Sequence, residues 1–414
     1  MDPILRNNWS LGIDNRSDVR RVATGAPFRG QAQPGAVREA INVDANADGS
    51  LSLRAGYERI YAGTDVRGAL ALGQKVLIAD GANLVELDLR TGTHKVVRQI
   101  PASGVFAGDE LNGELFFCTS SETLRYDGHA VRPWGVPTVT VQPVPTVVAG
   151  GVAPGRYLCA CTLVNAQGEE GGTVQAVTVN LQQASGLAFQ LPVAPVGGAV
   201  RVYVGPADGT TLYLQDEATS TVTVTTLRDD TARLETLGMG PPPIGQAVLA
   251  YNSMLLIVNG STLSYTRPFR THLRSALDFF QFGEVIDLAI PVADESGAGL
   301  YVAAGEQTFY LASLETDAVN QVQPLPFGAV PGTGVRLPSG GATWMTRYGQ
   351  LLAGPGGVAK ILSEHFVPEP AISGAAGMLE HNGQQLVVAT VRGSPQPGGL
   401  AAGDYYVSEI ITHE

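Results

Sequence analysis

Apolar and polar residues alternate along most of this chain in short runs, and glycine-containing turns punctuate them. Alternation with a period of two predicts β-strands with one buried face, and Asn-Gly or Asp-Gly between two runs predicts hairpins. The pattern recurs. LALGQKVLIADGANLVELDLRTGTHKVV (70–97) reads as an apolar strand, an Asp-Gly turn, an alternating strand, a Thr-Gly turn and a third strand. VFAGDELNGELFFCTSSETLRYDGHAVRPW (105–134) repeats the plan with turns at Asn112-Gly113 and Asp127-Gly128, and VLAYNSMLLIVNGSTLSYTRP (248–268) repeats it with Asn259-Gly260. LYVAAGEQTFYLASL (300–314), ATWMTRYGQLLAGPGGVAKIL (342–362) and MLEHNGQQLVVATVRG (378–393) supply three more. About six sheet units at roughly 40-residue spacing are the signature of a β-propeller, in which each small sheet hides its faces against its neighbours. SLSLRAGYERIYAG (50–63) is available as the missing strand of the last blade. Helical spacing is nearly absent; the best helix candidate is RTHLRSALDFF (270–280), with Leu273, Ala276, Leu277 and Phe280 at i, i+3, i+4 and i+7.

The texture changes between the second and third units. VPTVTVQPVPTV (136–147) is Pro-rich and extended, as a linker would be. Alternating strands then crowd together through TVTVTTL, with the rhythm of an Ig- or fibronectin-type sandwich, and GPPPIG (240–245) marks the exit. The expected organisation is an N-terminal arm and hairpin (1–49), a first propeller segment (50–136), an inserted sandwich (137–240) and a second propeller segment (241–414). Such an insertion costs little closure entropy if the inserted domain's ends lie close together.

Composition supports an all-β reading: the 414 residues include 51 Gly and 26 Pro, with 44% hydrophobic and 15% charged residues. No apolar run approaches the ~18 residues that span a bilayer, so no membrane anchor is expected. The start, MDPILRNNWSLGIDNRSDVRR, lacks the basic-then-apolar order of a secretory signal. The net charge of −12 argues against a protein that grips nucleic acid and suits a wall that DNA passes without sticking. Only the first 38 residues run the other way, with Arg6, Arg16, Arg20, Arg21, Arg29 and Arg38 against Asp2, Asp14 and Asp18.

Motifs for chemistry are sparse. Cys118, Cys159 and Cys161 make no disulfide framework; Cys159 and Cys161 share one strand face and read as small core residues. Asp44, Asn46, Asp48 and Gly49 match the first half of a calcium loop, but Ala55 stands where a bidentate Glu is needed, which favours a hairpin turn. Glu169-Glu170 in NAQGEEGG and Asp229-Asp230 in TLRDDTAR read as solvated loop tips. His94, His129, His272, His365, His381 and His413 are scattered without metal-ligand spacing. There is no HExxH, no GxSxG with an ordered triad, no Walker loop, and no repeated Ser-x-Asp-x-Gly-x-x-Trp turn of a propeller sialidase. No catalytic, cofactor or metal residues are therefore named, and no cofactor is expected. The arm NNWSLGIDNR carries Trp9, Leu11 and Ile13, to dock on a neighbouring subunit or on its own propeller. The tail GDYYVSEIITHE alternates as an edge strand of the last blade or of another chain.

Three stretches resemble a family of virion proteins of tailed bacteriophages. LGIDNR…VREAINVDANADGSLSLRAGYERI (11–60) is similar to that family's "GI-N-N … REA-N-V-D … G … R-x-GY" opening. LRYDGHAVRPWGVP (124–137) resembles a blade ending in "DG … WG-x-P", and APGRYLCACTLVNAQGEEGG (153–172) a sandwich opening "AG-x-Y … T-x-V … GEESG", with Gly171 where the family often has Ser. The resemblance implies a non-enzymatic structural subunit of the tail hub or head–tail region, like packaged-DNA-stabilisation propellers, forming a ring or an attachment point for tail components or fibres. Implied partners are other virion proteins (portal or adaptor, tail or fibre proteins) and further copies of the chain, with DNA at most passing nearby. The implied location is the virion, assembled in the host bacterial cytoplasm. A carbohydrate- or receptor-binding propeller of a phage tail is the alternative, and a glycan-degrading propeller a third reading. No functional residue carries over from the family.

Overall fold

The computed structural model describes residues 8–14, 18, 21–23, 33–38, 40, 43–46, 48–53, 58–295, 297–314, 320–362, 371–381, 384–393 and 407–413. The described residues are all-β, with one three-residue 3-10 turn at Pro355–Gly357. Five four-stranded sheets and one three-stranded sheet are antiparallel meanders whose strands follow sequence order, as in propeller blades. The first blade runs Val66–Leu72, Lys75–Asp80, Asn83–Asp88 and His94–Gln99; the second Phe106–Leu111, Glu114–Thr119, Thr123–Tyr126 and Val131–Pro133; the third Ala247–Tyr251, Met254–Asn259, Thr262–Tyr265 and Phe279–Gln281. The fourth spans Ile286–Asp294 to Asn320–Leu325 and the fifth Val335–Arg336 to Ala359–Ile361. The sixth has three strands, Ala371–His381, Gln384–Gly393 and Val407–His413, so the tail pairs within the last blade.

Two compact units result: Gly63–Gln281, and Met1–Ala62 with Phe282–Glu414. Within the first, Glu114–Thr119 shows how alternation builds a blade stack. Leu115 and Phe117 pack with Leu77, Ala79 and Leu84 of the first blade. Phe116 and Cys118 face the other way, against Val248, Leu255 and Ile257 of the third. A period of two thus gives this strand two buried faces, one per neighbouring blade. In the other unit, Tyr301, Tyr310, Trp344 and Leu351 join the fourth and fifth blades, and Val335 and Leu337 meet Val387 of the sixth.

The inserted sandwich lies wholly in the Gly63–Gln281 unit. Its seven strands are Thr146–Val152, Gly155–Val164, Val177–Leu181, Ser185–Gln190, Ala199–Val204, Tyr213–Ala218 and Thr221–Val224. They form a three-stranded sheet, first–fourth–seventh, facing a four-stranded sheet, third–second–fifth–sixth. The constant-type immunoglobulin sheets run ABED and CFG; here the first and last strands share the smaller sheet, one on each side of the fourth. Cys159 and Cys161 are fully buried between the sheets with Tyr157, Phe189, Val200 and Val202.

Two sequence expectations are corrected. The helix at 270–280 is instead two short strands, Arg274–Ser275 and Phe279–Gln281, joined by a turn. Asp278 accepts the Ser275 amide at 2.9 Å, and Leu273 is 1% exposed whereas Leu277 is 82% exposed. A helix would have put those two leucines on one face. The strand expected to complete the last blade from 50–63 also differs: Leu51–Leu53 pairs with Val43–Ala45 in a separate hairpin. The described arm residues hydrogen-bond within their own unit, Trp9 to Gly49 and Leu11 to Gly35 through the main chain, with Ile13 bridged to Val37.

Candidate functional site at the sandwich joint

The most concentrated chemistry lies where the sandwich leaves the blades. Both linkers cross at one point: Val139 and Leu237 each form a parallel bridge to Thr173. The Gln142 side chain fixes the incoming linker, accepting the Cys161 amide at 2.6 Å and donating to the Thr173 hydroxyl. The glycines after the acid pair permit this crossing. A Cβ on Gly172 would lie 1.8 Å from the Met239 carbonyl, and one on Gly171 2.8 Å from the Pro137 carbonyl. On the blade side the linkers touch, since a Cβ on Gly135 would lie 2.5 Å from Cβ of Pro241.

A strap from the third blade, residues 270–275, holds this crossing. Trp134, fully buried edge-to-face on Phe116, donates its indole N–H to the Thr271 carbonyl at 2.7 Å. Arg274–Ser275 pairs with Met239–Gly240, and Arg270 forms an ion pair with Glu235.

At the centre, Arg125 of the second blade forks onto Glu169 of the sandwich, Nη1 to Oε1 at 2.8 Å and Nη2 to Oε2 at 2.7 Å. The arginine side chain is 5% exposed and the glutamate 21%. Asn165 donates to Glu169 Oε2 at 2.6 Å, and His272 Nδ1 lies 3.8 Å from Oε1. Behind Arg125 stands Glu114 at 3.8 Å, itself paired to Arg132 at 2.6 Å, and Arg132 also pairs with Asp127. Glu170 turns the other way, accepting from Thr162 (2.6 Å), Arg201 (2.9 Å) and Tyr203 (2.7 Å) on the sandwich sheet. The acid pair is therefore no solvated loop tip. Glu169 joins the sandwich to a blade, and Glu170 anchors the loop that carries it. Asp229 and Asp230 are exposed.

Burial alone would raise the Glu169 carboxyl, but the hydrogen bonds from Arg125 and Asn165 and the nearby arginine charge outweigh it, so it stays ionised below its usual range. Burial lowers His272, which Glu169 only partly offsets and Arg125 reinforces, so the imidazole is held neutral. A carboxylate beside an imidazole is the raw material of acid–base chemistry. Here both carboxylate oxygens already accept hydrogen bonds, and the arrangement acts as a charged fastening.

The remaining candidates resolve locally. The described residues of the Asp44–Gly49 stretch belong to a hairpin: Val43–Ala45 pairs with Leu51–Leu53, Asp48 Oδ1 accepts from the Ser50 amide (2.9 Å) and hydroxyl (2.6 Å), and Gly49 has φ +82°. Ala55 and His365 lie outside the described residues. No group of three or more potential metal ligands occurs among the described residues. Burial pushes the Cys118 thiol up to about 11 and those of Cys159 and Cys161 up to about 12.

No family model matches the chain, and no curated protein matches it. Among solved structures, Kluyveromyces lactis Hsv2 is similar at 7% identity over 84% of this chain and 99% of that one, with a TM-score of 0.29. The N-terminal domain of Nup159 is similar at 14% identity over 78% and 72%, with a TM-score of 0.24. At these scores neither likeness carries weight for function, and the propeller-like architecture rests on the sheets themselves.

Proposed function

We propose that this chain is a structural subunit of a tailed-phage virion, in the tail hub or head–tail region, where it forms a ring or an attachment point for tail components. One observation carries the reading. Two of the stretches that resemble the virion family contain the residues that build the joint: Arg125, Asp127, Trp134, Gly135 and Pro137 in one, and Glu169, Glu170, Gly171 and Gly172 in the other. Residues of these stretches thus fix one module on another, which is the work of a building part. The net charge of −12 suits a surface beside passing DNA. Its partners would be other virion proteins and further copies of itself, and its place the virion.

Quantitative mass spectrometry of purified particles tests this, combined with sedimentation of the isolated chain. The expected result is a fixed copy number per particle and an ordered oligomer. A chain missing from particles and monomeric in solution would overturn the proposal.

A further inference from the structure

We propose that the sandwich is mounted on a two-strand hinge and closed by a proton-sensitive latch, Arg125–Glu169–His272, that releases it from the blades in mild acid. The inference is independent of any particular assembly.

The hinge follows from the linkers. They leave the blades side by side, Gly135 against Pro241 and Pro242, and enter the sandwich side by side on Thr173. Two adjacent strands are a pivot, and side contacts decide how far it swings. The charged contact from the second blade is Arg125 on Glu169; from the third blade come His272, and Arg270 on Glu235. His272 is thus faced by Glu169, Arg125 and Arg270, with Glu235 beyond Arg270, Glu114 behind Arg125 and a hydrogen bond to the Glu170 main chain. Glu169 lies between Arg125 and His272, and protonating His272 adds a third positive charge to a cluster that already holds Arg125 and Arg270.

The direction follows from linkage. In the closed joint His272 is held below its ordinary 6.5 and Glu169 below its ordinary 4.5. An opened joint exposes both groups to water and returns them to those values, so the open form binds protons more readily. Closure is therefore fully favoured above about pH 6.5 and weakens as the pH falls, through His272 first and Glu169 below about 4.5. Glu170 is tied to Arg201 and Tyr203 within the sandwich, so the module stays folded as it swings.

Amide hydrogen exchange of the full chain at about pH 7.5 and 5.5, corrected for intrinsic rates, tests the latch. Segments 165–173 and 270–275 should open at least ~5-fold more often at the lower pH, while sandwich-core segments 157–163 and 200–204 keep their protection. His272→Gln, neutral at both values, should abolish the difference. Unchanged exchange in the wild type, the same response in His272→Gln, or loss of protection throughout the sandwich would each overturn the proposal. The wild-type imidazole gives an independent reading: C2–H exchange should place the His272 midpoint below 6.5, and a midpoint at or above that value overturns the latch.

Discussion

Arg125 and Glu169 are 44 residues apart, yet they make the best-formed ion pair of the joint. Its strength lies in the fork, because a planar guanidinium meets both carboxylate oxygens at once while an ammonium meets them only as a point charge. Removing one partner of so enclosed a pair strands the other. Arg125→Met should therefore cost about 3 kcal/mol in urea unfolding followed by tryptophan fluorescence, and Arg125→Lys should recover part of that. A loss under about 1 kcal/mol from the methionine variant would mean that the pair is no more than a surface bridge. The three cysteines make a second test at this scale. With thiols pushed to about 11 and 12 by burial, they should ignore a disulfide reagent at about pH 8 in the native chain and all react once it is unfolded. Their burial was legible from one strand face shared by Cys159 and Cys161. The fate of Glu169 was not. Glycines on both sides suggested a solvated tip, whereas Gly171 and Gly172 serve close approach of the linkers, and no local pattern points from residue 169 to residue 125.

At the scale of the element, blades were readable wherever alternation met a turn that demands left-handed backbone. Asn112 and Gly113 have φ of +54° and +79°, which matches the right-handed twist of the flanking strands. Readings failed where residues served a distant partner. Arg270, Thr271 and His272 looked like the start of a helix because Leu273, Ala276, Leu277 and Phe280 carry helical spacing. Their side chains and main chain instead engage Glu235, Trp134 and Glu169, which lie far away in sequence. Two glycines of the second blade separate strain from packing. A Cβ added at Gly113 would meet nothing within 4 Å, so Gly113→Ala should cost only its left-handed backbone, about 1 kcal/mol. At Gly108 a Cβ would lie 2.5 Å from Phe117 Cβ and 2.6 Å from the Phe116 carbonyl, in the packed layer between blades. Gly108→Ala should cost about 3 kcal/mol through overpacking. Thermal unfolding of the two variants side by side checks the order, and the reverse order would mean that the blades are loosely stacked.

For the whole molecule, the consequence of the joint is that the sandwich is removable. Sequence rhythm located it between the second and third blades, but only the structure brings its two linkers into contact at Gly135 and Pro241. A short bridge therefore suffices in place of residues 137–240, and the closure entropy of such a bridge is small. The deletion takes Glu169 away together with the sandwich that covers Arg125, so the arginine is left in water and not as a buried unpaired charge. That is why losing the entire module should be gentler on the blades than Arg125→Met, which keeps Glu169 enclosed and removes its partner. Some stability will go with the strap, because Arg270 loses Glu235 and Arg274–Ser275 loses its pairing to Met239–Gly240. The second–third blade core of Phe116, Cys118, Trp134, Val248, Leu255 and Ile257 keeps all its members outside the deleted span. A chain with 137–240 replaced by about four Gly/Ser residues should fold and unfold cooperatively, with strand-type circular dichroism and a melting temperature within about 8 °C of the parent. Aggregation or a non-cooperative melt would show that the sandwich is part of the blades' foundation, and the hinge would then have no independent body to carry.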